Sequence, residues 1–213
     1  MKRRIQFLLA TVLAVSVVFI GCKKNDTSSS SSDDTALTTH SDDQSTFSQT
    51  TDDIANDGND AIEASPAFLG KPGDANGTNG VTTLCHATAT LDSTATLRRL
   101  TVIYNGLNCI GTRNRVGTVV FTMPLAQHWK DAGAVLTVNV QSLVITRVSD
   151  SKSLTINGTG TITNVSGGRL INLGQPGGPT SITHDIASAG VTVTFNDGTQ
   201  RSWQISKRRV FTY

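Results

Sequence analysis

Four stretches of the chain carry four different patterns of apolar and polar positions. Residues 5–20 are an apolar run broken only by Gln6, Thr11 and Ser16. The run is shorter than the roughly 20 residues a membrane-spanning helix needs, and it fits the core of an export signal instead. Residues 23–44 are Ser, Thr, Asp and Lys with almost no large apolar side chain, including a serine run at 28–32. Such a segment cannot offset its ordering entropy by burial and is expected to be a disordered tether. In residues 45–64, Phe47, Ile54, Ala61 and Ile62 recur at about seven-residue spacing, which is one helical face, while Asp52, Asp53, Asp57 and Asp60 lie mostly elsewhere. That spacing predicts a short, weak amphipathic helix. Pro66, Gly70, Pro72, Gly73, Gly77 and Gly80 then mark a linker and a domain boundary.

From residue 81 the period changes from helical to alternating. Cys85, Ala87, Ala89 and Leu91 share one face, as do Leu100, Val102 and Tyr104; Val119, Phe121 and Met123; and Leu136, Val138 and Val140. Threonine fills much of the opposite face and supplies 22 of the last 133 residues. β-branched residues in this pattern suit half-buried strands. The fold class expected is all-β: about eight strands joined by short turns, an antiparallel meander packed as a sandwich or an open half-barrel. The division expected is residues 1–21, an export signal; 22–80, a tether with a short helix; and 81–213, the β-rich domain.

One hairpin can be set in register. Val191, Val193 and Phe195 alternate before Asn196-Asp197-Gly198, and Trp203 and Ile205 alternate after it. A two-residue loop would strand Trp203 on the wrong face. A three-residue loop pairs Phe195 with Thr199, Val193 with Arg201 and Val191 with Trp203, with Gly198 left-handed in a type I turn plus bulge. Gly158 and Gly160 share a face with Ile156 and Ile162, which predicts a bend or the close approach of another sheet. Residues 166–180, with five Gly and two Pro, read as a long mobile loop. The last residues still read as strand, which fits either a terminal edge strand or a domain that continues beyond Tyr213.

Charge sharpens the division. The formal +2 of the whole chain hides 11 acidic and 3 basic residues in 23–80 against 5 acidic and 12 basic residues in 81–213. A basic domain sits on an acidic leash. The predicted helix, opposite in charge, either docks on the domain or stays a solvated stalk; the sequence leaves both open.

The apolar run follows Lys2, Arg3 and Arg4 and ends in Phe19-Ile20-Gly21-Cys22. This resembles the lipobox of bacterial lipoproteins, in which the cysteine is diacylated and the signal is cut before it. Phe19 stands where Leu is usual. The resemblance implies lipidation of Cys22 and a membrane partner through that anchor, since two or three acyl chains hold stably where one does not. An uncleaved membrane helix is the alternative. Lys23 stands where some lipoproteins carry an inner-membrane retention Asp, so the outer membrane is the expected location.

Further motifs follow in the β region: Cys85 with alternating Ala and Thr; Arg98-Arg99-Leu100-Thr101-Val102; Asn108-Cys109; Gly111-Thr112-Arg113; Gly158-Thr159; and Asn196-Asp197-Gly198-Thr199 with Arg201 and Trp203. Together they resemble a group of uncharacterised Bacteroidetes-type lipoproteins with a β-rich extracytoplasmic domain. That resemblance implies a fold and a chain extending past residue 213. It implies no activity and assigns no functional residue.

Candidate chemistry is sparse. With Cys22 taken by lipid, Cys85 and Cys109 are left to form a disulfide outside the cytoplasm. His40, His86, His128 and His184 show no metal-binding spacing, and Asp53 to Ala64 fails as a calcium loop at Ala55 and Ala64. No metal or cofactor is expected. Asp131 and Asp185 are the carboxylates a hydrolase would have to bring together. Arg98, Arg99, Arg113, Arg115, Lys207, Arg208 and Arg209 suit a patch for anionic glycan, lipopolysaccharide or DNA, or else charges that keep exposed strands from pairing. Trp129, in a turn-like stretch, is the candidate for an exposed aromatic contact, whereas Trp203 is placed in the core. The functions these features admit are a non-catalytic binding or structural domain with an envelope glycan, lipid or protein partner, then a carrier or assembly factor for envelope lipid or lipoprotein, then a hydrolase. A nucleic-acid partner is not expected.

Overall fold

The computed structural model describes residues 30–70 and 84–213. The chain divides into a unit ending at Asp43 and a compact unit, Gln44–Tyr213. Helix α1 (Ser30–Glu63) runs through the division. It therefore begins inside the stretch whose composition reads as disordered tether, and for residues 30–44 helix replaces that expectation. Nucleation is the costly step of helix formation, and adding turns to an existing helix is nearly neutral. The compact unit includes the second half of α1, so the boundary expected at residue 81 falls within one unit.

Seven strands follow: β1 (Ala87–Ser93), β2 (Leu97–Leu107), β3 (Arg113–Pro124), β4 (Ala134–Arg147), β5 (Ser153–Asn164), β6 (Ser181–Phe195) and β7 (Gln200–Thr212). They form one open antiparallel sheet in sequence order. This is the expected meander in its open form, with seven strands where about eight were expected. The small residues 187–190 do not break β6; they make a bulge between Ser188 and Val191. Neighbouring irregularities fall at Val116/Thr118, Val140/Leu143 and Thr159/Thr161. Because Thr118 pairs with Gln141, Val140 with Gly158 and Thr159 with Gly190, the four lie at one level of the sheet. Aligned bulges bend their strands together. A Cβ on Gly158 would come within 3.0 Å of Val191 Cα, and one on Gly160 within 2.8 Å of the Ala187 carbonyl. The close approach read from these glycines is thus to β6 of the same sheet, not to a second sheet.

A sheet with one apolar face needs a covering layer. Helix α1 supplies it. Phe47, Ile54, Ala61 and Ile62 are all buried, together with Ala55, in the same cluster as Val102, Val119, Phe121, Met123, Leu136 and Val193. The apolar alternations of β2, β3 and β4 all point into this cluster or pack against it. Gly58 marks the tightest crossing, since a Cβ there would fall into the Phe121 ring. The helix is poor in strong helix formers, so packing on the sheet is what supports it. After Glu63 the chain turns through a buried 3-10 turn, Pro66–Leu69.

The predicted hairpin register holds. Val193 pairs with Arg201 and Val191 with Trp203, the Phe195 amide donates to the Thr199 carbonyl at 2.9 Å, and Gly198 has φ 81°. Arg201 lies over the Phe195 ring, 5.1 Å from its centre. Cys85 and Cys109 form the expected disulfide, with Cα atoms 5.1 Å apart. The 166–180 loop is pinned: the Leu170 and Ile171 amides donate to the Glu63 carboxylate at 2.6 and 3.1 Å. Among the described residues, no helix is long and apolar enough to cross a membrane.

Candidate functional site

The acidic side of α1 meets basic side chains of β3 and β7. Lys207 Nζ lies 2.6 Å from Asp52 Oδ2, Arg113 Nη1 lies 3.1 Å from Asp53 Oδ2, and Arg113 Nη2 also donates to Gln49 Oε1. Arg209 Nη2 donates to Asn56 Oδ1 at 2.8 Å. Arg115 is 6% exposed; its Nη1 lies 2.5 Å from Asp57 Oδ2, and its guanidinium covers the Tyr104 ring at 4.6 Å. The Tyr104 hydroxyl donates to the same Asp57 oxygen at 3.0 Å. Burial, then the Asp57 charge, pushes the Tyr104 phenol well above its ordinary range.

The remaining basic residues singled out from sequence lie elsewhere. Arg98 donates to the carbonyls of Pro124, Leu125 and Gln127 at 3.1, 2.7 and 2.6 Å, tying down the chain after β3. Arg99 pairs with Asp92 across β1 and β2, and Arg208 grips both oxygens of Asp185 at 2.7 Å. In this structure each of the seven is already held by a partner within the chain, and four of them hold the helix. The charge segregation seen in the sequence is an internal fit between helix and sheet.

At one end of that fit lies a cleft of about 240 Å³. Its floor is Trp129, Leu136, Ile162 and His184; its rim carries Asn56, Asp60, Arg209 and Phe211. β6 supplies His184, β7 supplies Arg209 and Phe211, and α1 supplies Asn56, Asn59 and Asp60. His184 is 4% exposed and sits edge-on between Trp129 and Phe211, 5.2 Å from each ring. Burial, with Arg209 second, lowers its imidazole to about 4, so it is neutral near pH 7. No hydrogen bond engages its ring nitrogens among the described residues. Burial, then the Asp57 and Glu63 charges, raises the Asp60 carboxyl. A second, open depression of about 620 Å³ lies between the helix and the β2–β3 and β4–β5 turns, beside Asp53, Asn108, Ile110 and Arg113.

Trp129 is a correction. It is 1% exposed, its indole N–H donates to Asn59 Oδ1 at 3.1 Å, and its amide donates to the Phe68 carbonyl at 2.8 Å. The turn-like sequence around it reads as surface, but the 66–69 turn covers it. Trp203 does face the core side, half-buried against Phe47 with ring centres 4.5 Å apart. Asp131 is paired with His128 at 3.2 Å and Asp185 with Arg208, so the two carboxylates serve separate local contacts. Cys22 lies outside the described residues. Trp129, His184 and Arg209 were each singled out in the sequence for a different reason, and Asp60 as part of the acidic side of the helix. Asn56, Asn59, Asp60 and Phe211 become neighbours of His184 only through the docking of α1 on β6 and β7.

Compared with family models, with curated proteins and with solved structures, the chain finds no match.

Proposed function

We propose that this chain is a lipoprotein of the bacterial cell envelope, cut before Cys22, acylated there, held at the outer membrane and carrying a non-catalytic binding domain. The observation that carries the reading is the Cys85–Cys109 disulfide. Structural disulfides persist where the surroundings are oxidising, as outside the bacterial cytoplasm. It agrees with the basic, apolar and Gly21-Cys22 sequence of the N-terminus, and with the resemblance to uncharacterised Bacteroidetes-type lipoproteins. The cleft at His184 supports binding over a purely mechanical role.

The carrier reading loses support because α1 fills the apolar face that a lipid would need. The space left beneath the helix beside Ile54, Val138 and Ile156 is about 50 Å³, room for a few waters and no acyl chain. The hydrolase reading gains nothing from Asp131 and Asp185, which are engaged in separate contacts with His128 and Arg208.

The test is metabolic labelling with a palmitate analogue in a bacterial host, for the full chain and for Cys22→Ala, followed by membrane fractionation. The proposal expects label on the native chain alone, in the outer-membrane fraction. An unlabelled native chain in the soluble fraction would overturn it.

A further inference from the structure

The cleft at His184 has a composition that selects among ligands. Its floor is aromatic and aliphatic, and the polar group there that makes no hydrogen bond among the described residues is the His184 imidazole. A neutral imidazole presents one donor and one acceptor. A ligand that fills the cleft takes the place of water at this ring and has to offer the same bonds. The rim has one acid, Asp60, one base, Arg209, and the amide of Asn56. A net anion would meet Asp60 and a net cation would meet Arg209, so the rim favours neither. The volume of about 240 Å³ lies below the roughly 300–1,000 Å³ of pockets for drug-sized molecules, which restricts the occupant to about one ring.

Two neutral classes of that size suit a rim with one acid and one base. A zwitterionic amino acid would put its charged ends at Asp60 and Arg209 and its side chain on the floor. For an apolar side chain, that would leave His184 buried beneath it and still unpaired. A polyhydroxylated ring brings hydroxyls to His184, Asn56, Asp60 and Arg209 at once, and its C–H groups lie against the exposed part of Phe211.

We propose that this cleft binds a single neutral pyranose ring, held by His184 at the floor and by Asn56, Asp60 and Arg209 at the rim. The inference rests on the binding reading given above and names its ligand class. His184 is a binding residue, not a catalytic one: no second acid or base faces it at the floor.

The full chain, in a zwitterionic detergent free of sugar headgroups, is titrated with neutral monosaccharides, with short oligosaccharides of the same sugars, and with free amino acids. The readouts are the His184 ring resonances and the Trp129 indole N–H resonance. The expected result is saturable shifts at both groups with at least one sugar. His184→Leu and the rim variant Asp60→Ala should each weaken binding by roughly tenfold, about one hydrogen bond to a charged or buried group. Asp60 is exposed, so its variant keeps the core intact and guards against loss of fold in the other. Tighter binding of the oligosaccharide identifies the end of a glycan chain as the ligand, and equal binding identifies a free sugar; both uphold the proposal. Amino acids binding in place of sugars would overturn the ligand class while sparing the binding reading. No shift with any ligand would overturn both, and labelling at Cys22 would still decide the anchor independently.

Discussion

The Arg115 guanidinium lies 2.5 Å from the Asp57 carboxylate in the interface between α1 and β3, with the Tyr104 hydroxyl on the same oxygen at 3.0 Å. Buried charges of this kind are tolerated because they face one another, and they penalise any register in which they do not. Removing one partner strands the other. Asp57→Ala should therefore destabilise the fold by about 3–5 kcal/mol. Replacing both, as Asp57→Leu with Arg115→Met, should recover most of that loss. Urea denaturation of the two variants checks it; equal losses for the single and double variants would mean that the pair is not coupled.

Gly58 offers a test whose sign is informative. In an exposed helix, Gly→Ala gains up to about 1 kcal/mol. Here the added methyl meets the Phe121 ring, and overpacking costs about 1–3 kcal/mol. Gly58→Ala should lower the thermal midpoint. A raised midpoint would mean that α1 does not lie against β3 at this position.

The disulfide closes a loop of separation 24. In the chain-entropy account this contributes about 3 kcal/mol. The double variant Cys85→Ala, Cys109→Ala should lose roughly that amount, and reductant should shift the native protein by a similar amount and leave the variant unmoved. Denaturation with and without reductant measures both.

The helix and the cleft were legible to different degrees. Alternation alone placed Leu100, Val102, Tyr104, Val119, Phe121 and Met123 correctly, because a strand with one buried face writes its geometry into the sequence every second residue. The hairpin at Asn196-Asp197-Gly198 was legible to the residue, since only one loop length puts both apolar sets on one face. The spacing of Phe47, Ile54, Ala61 and Ile62 foretold the helix face. Opposite charge named the β domain as one of two outcomes but did not decide for docking, because that depends on pairs such as Asp57 and Arg115 or Asp52 and Lys207 that are far apart in sequence. Trp129 failed for the same reason: a turn-like neighbourhood says nothing of Phe68 and Asn59 closing over it. The basic residues suggested a ligand patch because sequence shows charge without showing its neighbours.

Acid should act on the fold through His184. Its imidazole binds a proton near 6.5 when unfolded and only near 4 when folded. The stability associated with the neutral ring is complete above about 6.5 and is lost as the pH falls toward 4, by at most about 3 kcal/mol. Asp53 and Asp60 work in the opposite direction. Burial raises both carboxyls, so protonating them in acid favours the folded state and offsets part of the loss. His184→Leu should therefore lose less stability than the native chain between about pH 7 and pH 4.5. Urea midpoints at the two pH values give the comparison, and identical losses would contradict the assignment.

The acidic helix is the covering layer of the sheet. Hydrogen–deuterium exchange of the full chain, followed by peptide mass spectrometry, tests it most directly. Amides in residues 47–62 should be protected as strongly as those of β3 and β4, so that helix and sheet open as one unit. Fast exchange in residues 47–62 beside a protected sheet would mean that the helix is a free stalk. The apolar face would then be open, and the carrier reading would move to first place.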